Sequence, residues 1–384
     1  MGAGIAQIAC LGGFETRLHD PVAEALPAGE QRLRTGLEKG VERGRWSGEE
    51  AERATERLRV ASRVEDLAGC ELVIEAAPEE LGLKQKLFTQ LAEVCGPEAV
   101  LATNTSSLSV TAIAAGVPEP QRVVGMHFFN PPALMELVEV VAGTESSEEA
   151  LQLVADVGER IGRTPVRAAD EIGFVANRCA RPFSLEALRL LGDRIADAET
   201  IDRICRVGGG FRMGPFELID LIGLDVNLSV ARSFYAQGGE PERWLPNPIQ
   251  ERLVAEGRLG RKSGRGFYEY GEGSGREPDP ELGIAAPTLD PTELAKIDPA
   301  APEILPRLIA QIANEAAFAL EEEVGTPADM DTAMRLGFNW PLGPLELTEL
   351  IGGERARRLL VELRAEHGEA YRPAPLLASV SAGS

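Results

Sequence analysis

The sequence predicts an α/β domain built on a parallel sheet, followed by two copies of an all-helical unit. Short apolar runs alternate with amphipathic helical stretches from residue 1 to about residue 168, a pattern typical of parallel strands joined by crossover helices. After Asp170 the pattern becomes helical with few strands, and a motif near residue 214 recurs near residue 343. The chain of 384 residues is long enough for two or three domains.

The first predicted domain, residues 1–169, contains four apolar runs that predict strands. These runs lie at residues 14–18, 72–76, 100–103 and 123–128. Polar helices are expected between Pro21 and Leu58, and residues 81–94 predict a helix with one apolar face. That face is expected to consist of Leu83, Leu87, Leu91 and Val94.

The N-terminal segment has features of a dinucleotide-binding turn. Residues 2–13 predict a helix in which Gly2 and Gly4 permit close backbone approach. Asp20 follows the first strand, 20 − 2 = 18 residues beyond Gly2, where a carboxylate holds the adenosine ribose and repels a 2′-phosphate. The pattern therefore favours NAD over NADP. Because the first glycines of the fingerprint and the strand before them are absent, a helix start followed by a surface aspartate is the alternative.

Small polar residues follow two later strands. Residues 75–79 (Glu75 to Glu79) and residues 104–107 (Asn104 to Ser107) lie where these strands end. Open parallel sheets bind ligands at the carboxyl ends of their strands. We expect these residues to line a nicotinamide pocket, although ordinary loop and cap roles are an alternative for Ser107 and Glu80.

One histidine and one carboxylate lie on neighbouring strands around residue 130. Residues 123–126 lead into His127, a proline-containing turn follows, and a second apolar run contains Glu139. The turn brings the two side chains together, and a carboxylate inside an apolar strand needs a hydrogen-bond donor such as an imidazole. The alternative is a structural histidine beside an edge-strand glutamate.

The chain has only two other histidines, His19 and His367. His19 ends the first strand, near the expected cofactor ribose, and His367 lies in a polar stretch. Because general acid–base catalysis near neutral pH favours an imidazole, we expect His127 to be the base if the protein transfers protons.

The C-terminal part contains an internal repeat. Gly214-Pro215 recurs as Gly343-Pro344, an offset of 343 − 214 = 129, and the same offset maps Glu186-Ala187 onto Glu315-Ala316 and Asp202 onto Asp331. We therefore expect a first helical domain at residues 170–270, a linker at 271–300 and a second copy at 301–384. Asn177 maps onto Pro306, so the first copy keeps a polar group that the second lacks. The copies are expected to pack as a pseudo-dimer within one chain, or the chain forms a homodimer.

Composition and charge exclude several classes of protein. The net charge of −22 and the pI near 4.7 disfavour nucleic acid and anionic membranes as partners. No apolar run of about 18 residues is present, and the N-terminus lacks the basic start of a signal peptide. The five cysteines are scattered and never spaced as CxxC. We expect a cytoplasmic protein without a metal site.

These motifs, in this order, resemble the NAD-dependent L-3-hydroxyacyl-CoA dehydrogenases of fatty-acid β-oxidation. The resemblance runs nearly end to end and is highly specific. It covers residues 1–6, 75–84, 104–107, 127–131, 173–178, 214–215 and the Gly-Phe-Tyr segment at 264–270. It implies an α/β Rossmann-type NAD-binding domain, with its first strand absent, followed by two tandem all-α C-terminal domains of this family.

The resemblance also implies the roles of single residues. His127 is the base that takes the proton of the substrate's 3-hydroxyl, and Glu139 orients it. Ser106 and Asn177 hold the substrate oxygen. The residues at family cofactor positions are Gly2, Asp20, Glu79, Lys84, Asn104 and Ser106. Lys39, Arg43 and Arg45 could meet the phosphates of an acyl-CoA, although a solvated helix face is the more frequent explanation for such charges.

The chain departs from the family at its N-terminus. Family members begin with a strand and a Gly-x-Gly turn, whereas this chain begins with Met1-Gly2. The missing strand would be central, so its two neighbours are expected to have unpaired edges. The sequence therefore suggests that translation starts upstream and that Met1 is an internal methionine.

Two other functions remain open at this level. A dehydrogenase of free 3-hydroxy acids would typically use a lysine base in its helical domain, and a non-catalytic descendant would explain the incomplete cofactor turn. The sequence does not determine the acyl chain length or the pathway. The hydroxyacyl-CoA activity is the main prediction.

Overall fold

The chain forms two compact units, Met1–Phe174 and Val175–Ser384. The computed structural model describes residues 1–271 and 301–379. The predicted linker, residues 271–300, lies outside the described residues except for Gly271. The boundary between the units falls a few residues after the predicted domain boundary at 169.

The first unit contains two groups of hydrogen-bonded strands. β1 (Thr16–His19) pairs in parallel with β2 (Leu58–Ala61). The larger group is ordered β3-β4-β5-β6-β7, with bounds Leu72–Glu75, Val100–Thr103, Val123–Phe128, Leu137–Ala142 and Thr164–Ala169. Its pairs are parallel except β5 with β6, which is antiparallel.

Six α-helices connect these strands among the described residues of the first unit. They are α1 (Gly2–Leu11), α2 (Ala25–Glu42), α3 (Gly48–Arg57), α4 (Leu81–Val94), α5 (Val110–Ala114) and α6 (Glu148–Arg160). Serine side chains cap three of them: Ser47 for α3, Ser109 for α5 and Ser147 for α6. Helices α1 and α6 pack on the larger sheet through Ile5, Ile8 and Val154.

Most predicted elements of this unit are confirmed, with four corrections, one of which is strand β7 (Thr164–Ala169), which the sequence analysis did not predict. Strands at 100–103 and 123–128 and the helix at 81–94 have the predicted bounds. Strand β2 was missed because it follows α3 directly, without a turn signal. The sheet is not wholly parallel, because the turn after β5 reverses the chain. The predicted apolar face of α4 was wrong at Leu83, which is 40% exposed, since α4 buries Lys84, Phe88, Leu91 and Ala92 instead.

The sheet is divided between β1 and β3. Among the described residues, β1 pairs only with β2, and β3 pairs only with β4. Each of these strands therefore has one edge without a strand partner in the described chain. The loss of a central strand stays a prediction.

The second unit is helical. Its helices are α7 (Ala176–Gly192), α8 (Ala198–Arg203), α9 (Pro215–Ile222), α10 (Leu224–Gln237), α11 (Pro248–Ala255), α12 (Ala301–Glu321), α13 (Pro327–Phe338), α14 (Pro344–Ile351) and α15 (Gly353–His367). A π-helical turn, Ile204–Gly208, continues α8. Within the described ranges 1–271 and 301–379, no helix combines the length and apolar character needed to cross a bilayer.

Residues related by the offset of 129 make the same local contacts. Asp202 accepts a hydrogen bond from the backbone N–H of Phe216 at 2.9 Å, and Asp331 accepts one from Leu345 at 2.8 Å. In both cases the aspartate binds the first turn of the following helix, α9 or α14, where unpaired N–H groups need acceptors. The repeated motif thus has one structural role in both places.

The glycine of the repeated motif is required by this packing. A Cβ atom at Gly214 would lie 2.3 Å from the side chain of Asp202, and one at Gly343 would lie 2.1 Å from that of Asp331. Only glycine therefore allows the aspartate to approach the start of the helix.

Two buried ion pairs join α7 to α12. Arg178 Nε lies 2.8 Å from Glu315 Oε1, and Arg307 Nε lies 2.8 Å from Glu186 Oε1. The offset maps each arginine onto the other (178 + 129 = 307) and each glutamate onto the other (186 + 129 = 315). Such reciprocal contacts are typical of an interface with two-fold symmetry.

Candidate active site

The central feature of the first unit is a buried pair of His127 and Glu139. The antiparallel register of β5 and β6 places the two residues directly opposite one another. His127 Nδ1 lies 2.7 Å from Glu139 Oε2. His127 is 6% exposed and Glu139 is fully buried. The predicted pairing of these two side chains is therefore present in the structure.

This contact determines which nitrogen of His127 can act. A carboxylate acceptor holds the proton on Nδ1, so Nε2 of the neutral ring carries the lone pair. The negative charge also stabilises the ring after it gains a second proton. The geometry thus prepares His127 to accept a proton through Nε2.

Two aromatic rings enclose the imidazole. The ring centroid of Phe129 lies 4.7 Å from that of His127, and the ring of Phe174 lies 5.9 Å away. Phe174 is 2% exposed. Packing of this kind restricts rotation of the imidazole and lowers its access to water.

Asn104 connects the ends of two strands beside the histidine. Its Oδ1 accepts a hydrogen bond from the backbone N–H of Phe128 at 2.8 Å. Because β4 ends at Thr103 and β5 at Phe128, this bond fixes the loop after β4 against the residue that follows His127. No hydrogen bond from the amide nitrogen of Asn104 to another described residue is found, and its contact with a cofactor stays a prediction.

Glu79 holds the loop that contains Ser106. Its Oε1 accepts hydrogen bonds from Thr105 Oγ1 at 2.6 Å, from the backbone N–H groups of Ser106 at 2.9 Å and Ser107 at 3.1 Å, and from Ser107 Oγ at 3.0 Å. Partial burial alone would raise the pKa of Glu79, but these hydrogen bonds lower it. Ser106 itself is exposed, so the loop presents its side chain to solvent.

A buried ion pair supports the same strand ends. Lys84 Nζ lies 2.7 and 2.9 Å from the two carboxylate oxygens of Glu75, and Thr103 Oγ1 donates to Glu75 Oε2 at 2.7 Å. Lys84 is 1% and Glu75 4% exposed. The ammonium group also lies 3.4 Å from Glu79 Oε2. Lys84 is thus surrounded by protein groups, and its contact with a cofactor stays a prediction.

The sequence analysis missed this supporting role of Glu75 and Lys84. A signal was present, because Lys84 precedes Phe88 and Leu91 at helical spacing and therefore shares their face. A lysine on the buried face of a helix needs an acidic partner.

Lys84→Met is expected to destabilise the first unit by about 3 kcal/mol, because it leaves the Glu75 carboxylate buried without its counter-ion. Lys86→Met, on the exposed side of the same helix, is the matched control and should change stability by less than about 0.5 kcal/mol. Thermal unfolding of both variants measures the difference. Equal midpoints would show that the ion pair does not stabilise the fold.

The other predicted cofactor residues lie at the end of β1 and in the first turn of α1. Asp20 follows β1 directly and accepts a hydrogen bond from the Val22 N–H at 2.9 Å through Oδ1. Gly4 is packed more closely than Gly2, since a Cβ at Gly4 would lie 3.2 Å from the ring of Pro132. A Cβ at Gly2 would meet only Ala76, at 4.0 Å.

The remaining predicted site residues are exposed or half-buried. Lys39, Arg43 and Arg45 are exposed at the end of α2. Asn177 is the second residue of α7 and is half-buried; it belongs to the second compact unit, whereas His127 belongs to the first. No cluster of His, Cys, Asp and Glu suited to a metal ion is found in residues 1–271 and 301–379.

Within the described ranges, the other two histidines have no comparable partner. His19 Nδ1 lies 2.9 Å from the backbone oxygen of Ala61. His367 Nδ1 is 3.8 Å from Asp193 Oδ2, and both side chains are about one-third exposed (31% and 32%). His127 alone among the three histidines contacts a fully buried carboxylate.

Comparison with protein families shows to which family the chain belongs. The NAD-binding domain of 3-hydroxyacyl-CoA dehydrogenases matches residues 1–171, and the C-terminal domain of the same proteins matches residues 173–270 and 304–383. The chain belongs to the 3-hydroxyacyl-CoA dehydrogenase family. Its first unit is therefore a Rossmann-like NAD-binding domain, and its helical part is the family's C-terminal domain.

Individual members of the family are similar over most of the chain. 3-Hydroxyadipyl-CoA dehydrogenase of Escherichia coli K12 is 37% identical, over 98% of this chain and 94% of its own length. A probable 3-hydroxybutyryl-CoA dehydrogenase of Deinococcus radiodurans is 39% identical, over 70% of this chain and 96% of its own. The crystal structure of an E. coli K12 3-hydroxybutyryl-CoA dehydrogenase has a TM-score of 0.89 and 37% identity, and covers 98% of this chain and 95% of that chain.

Proposed function

We propose that His127 is the general base of this NAD-dependent 3-hydroxyacyl-CoA dehydrogenase and that Glu139 positions it. The family and its cofactor, NAD, are established by the matches over both parts of the chain. The observation that carries the assignment of the base is the fully buried carboxylate 2.7 Å from Nδ1 of the imidazole. Neither His19 nor His367 has such a partner among the described residues.

The reaction converts the alcohol at carbon 3 of an (S)-3-hydroxyacyl-CoA into a ketone. His127 Nε2 takes the proton of the 3-hydroxyl while the bond between carbon 3 and its hydrogen breaks. Bound NAD⁺ supplies the acceptor for the hydride that leaves carbon 3. Glu139 stabilises the positive charge that His127 gains, and the products are a 3-oxoacyl-CoA, NADH and a proton on the imidazole.

Ser106 and Asn177 are proposed to hydrogen-bond the substrate oxygen. Ser106 is exposed on a loop that four hydrogen bonds to Glu79 keep in place. A hydroxyl and an amide are suited to hydrogen-bond both the alcohol and the ketone oxygen. These roles rest on the family resemblance together with the fixed position of the loop.

The residues at the strand ends fit a dinucleotide. The start of α1 offers backbone N–H groups to a pyrophosphate, near Gly2. Asp20 uses Oδ1 for the Val22 N–H, which leaves Oδ2 for a ribose hydroxyl. Glu79, Lys84, Asn104 and Ser106 belong to the adjoining strand ends, and Arg43 is the proposed contact of the CoA phosphates. Each of these contacts is part of the proposal.

Asp20→Ala is expected to weaken NAD binding by about tenfold, because the ribose hydroxyls lose a charged acceptor worth about 1.5 kcal/mol. NADP use should rise relative to NAD, since the repulsion of a 2′-phosphate disappears. Initial rates with both dinucleotides measure the change. Glu15→Ala, an exposed acid nearby, is the control. An unchanged KM for NAD would exclude Asp20 from the cofactor site.

Production of NADH from (S)-3-hydroxybutyryl-CoA tests the proposed function directly. We expect turnover of the CoA thioester and little or none of free 3-hydroxybutyrate. Preference for the free acid would favour a hydroxy-acid dehydrogenase, and failure with both substrates would favour a non-catalytic descendant.

We further propose that the helical part contains two tandem copies of one domain, at residues 170–270 and 301–384, so that a single chain forms a pseudo-dimer. The two separate matches to the same C-terminal domain support this arrangement. The reciprocal ion pairs of Arg178 with Glu315 and Arg307 with Glu186 support it independently. A cytoplasmic role in fatty-acid β-oxidation is consistent with the five free cysteines.

A further inference from the structure

Asp170 binds the start of the helix that follows the loop of Ser106. Its Oδ1 accepts a hydrogen bond from the backbone N–H of Val110 at 2.7 Å. Its Oδ2 accepts one from the N–H of Thr111 at 2.8 Å and one from Ser109 Oγ at 2.7 Å. The N–H groups at the start of a helix need such acceptors. Asp170 directly follows β7, so these bonds tie the end of a sheet strand to the start of α5.

The loop that contains Ser106 is therefore held on both sides. Glu79 binds residues 105–107, and Asp170 binds residues 109–111. Between them, the N–H of Leu108 donates to Thr105 Oγ1 at 3.0 Å. Holding the loop on both sides narrows the range of positions open to the Ser106 hydroxyl. Catalysis is sensitive to displacements of that kind.

Phe174, four residues after Asp170, has a backbone conformation that a bulky residue seldom adopts. Its φ is 50°, and that of the preceding Gly173 is 75°. The left-handed region is unfavourable for residues other than glycine, because Cβ crowds the following carbonyl oxygen. The N–H of Phe174 donates to the backbone oxygen of Glu171 at 2.9 Å, which closes a tight turn. Strained residues of this kind persist only where the surrounding structure holds them, and they cluster at active sites.

The ring of Phe174 lies beside the imidazole of His127. Their centroids are 5.9 Å apart, and the ring planes are tilted by 60°. Residues 170–174 thus begin at the carboxylate that binds α5 and end at the ring on His127. All of these groups belong to the first compact unit. One short segment therefore contacts both the helix that follows the Ser106 loop and the proposed base.

We propose that Asp170 and Phe174 are positioning residues, which keep the Ser106 hydroxyl and the His127 imidazole in a fixed relation to each other. Asp170 acts through Ser106, and Phe174 acts through His127. The hydrogen bonds of Asp170 also hold the start of the turn that keeps Phe174 in its strained conformation. This inference rests on the proposed function, because it uses the roles assigned to Ser106 and His127.

Asp170→Asn tests the first part of the proposal. The variant keeps the shape of the side chain but loses acceptors for α5, so kcat for NADH formation from (S)-3-hydroxybutyryl-CoA should fall about 10- to 10²-fold. In a Ser106→Ala background the same substitution should lower kcat by no more than about twofold, because the group through which it acts is already absent. Equal losses in the two backgrounds would overturn the role of Asp170.

Phe174→Leu tests the second part. We expect kcat to fall about tenfold in the wild-type background, and by no more than about twofold in a His127→Gln background. The variant should also speed the modification of His127 by diethyl pyrocarbonate, followed by mass spectrometry without substrate, because the imidazole loses the ring that shields it. His19 and His367 should react at unchanged rates. Unchanged kcat and unchanged reactivity of His127 would exclude a positioning role for Phe174.

Two controls separate positioning from a structural role. Glu171→Gln replaces an exposed acid next to Asp170 and should keep the wild-type kcat. Phe88→Leu, at a fully buried phenylalanine of α4, should lower the melting temperature while the folded enzyme keeps its kcat. If Asp170→Asn and Phe174→Leu behave like Phe88→Leu, the proposal is wrong.

The two variants are independent of each other, so Phe174→Leu decides the question if Asp170→Asn does not fold. Failure of both variants to fold would show that these residues only maintain the fold, which contradicts the proposal. Absence of NADH formation by the wild type is a different result and would contradict the proposed function. An active wild type with equal losses in all backgrounds would contradict this inference alone.

Discussion

His127→Gln is expected to lower kcat by about 10²- to 10⁴-fold, because the reaction loses the group that accepts the proton of the 3-hydroxyl. The KM values for NAD and for the acyl-CoA should change much less, since the variant keeps an uncharged polar side chain of similar size. Steady-state rates of NADH formation from (S)-3-hydroxybutyryl-CoA measure the effect.

Two further variants isolate the role of the buried pair. Glu139→Gln can still accept a hydrogen bond from Nδ1 of His127 but cannot stabilise its positive charge, so kcat should fall while KM changes little. His367→Gln, at a histidine 3.8 Å from its nearest acid, should retain wild-type kcat. A fully active His127→Gln enzyme would exclude His127 as the base.

Glu315→Met is expected to destabilise the helical unit by about 3–5 kcal/mol, because it leaves Arg178 with an incomplete set of partners in a buried position. Glu315 is 3% exposed. Its oxygens also accept hydrogen bonds from Arg243 Nε and Trp244 Nε1, both at 3.1 Å. Calorimetric unfolding should show an earlier transition for the helical unit, with the NAD-binding unit little affected.

The proposed duplication adds a second variant, at the equivalent position of the other copy, to this prediction. Glu186→Met should have an effect of similar size, because Glu186 occupies the equivalent position and contacts Arg307 at 2.8 Å. The double variant Arg178→Met/Glu315→Met should recover much of the lost stability, since it removes both charges together. Glu362→Met, at an exposed residue of α15, is the control. No loss of stability in Glu315→Met would show that these ion pairs do not hold the two copies together.

Local patterns predicted the elements that depend on short stretches of sequence. The apolar run at 123–128 and the periodic segment at 81–94 became a strand and a helix with the predicted bounds. The exposure of Leu83 and the burial of Lys84 were not predicted. Whether a charged side chain is buried depends on its partner in the fold. The partner of Lys84, on α4, is Glu75, which lies on strand β3. Strand β2 was missed for a similar reason, because only its pairing with β1 makes it a strand.

How much of the candidate site could be predicted from the sequence differed from one residue to the next. The pairing of His127 with Glu139 followed from two apolar runs separated by a turn, and the register then placed them opposite one another. Glu79 holds residues 105–107 through hydrogen bonds between residues that are 26 to 28 positions apart. No local pattern encodes such contacts.

By itself, the sequence determined the alternation of strands and helices, the turn that joins His127 to Glu139, the repeat at an offset of 129 and the resemblance to a dehydrogenase family. Each of these depends on neighbouring residues or on comparison of one stretch with another. Only the tertiary structure decided which charges are buried and with which partners. Arg178 and Glu315 are 315 − 178 = 137 positions apart, and Arg181, on the same helix, has no carboxylate partner among the described residues. Burial makes a charge depend on contacts that only the folded chain brings together.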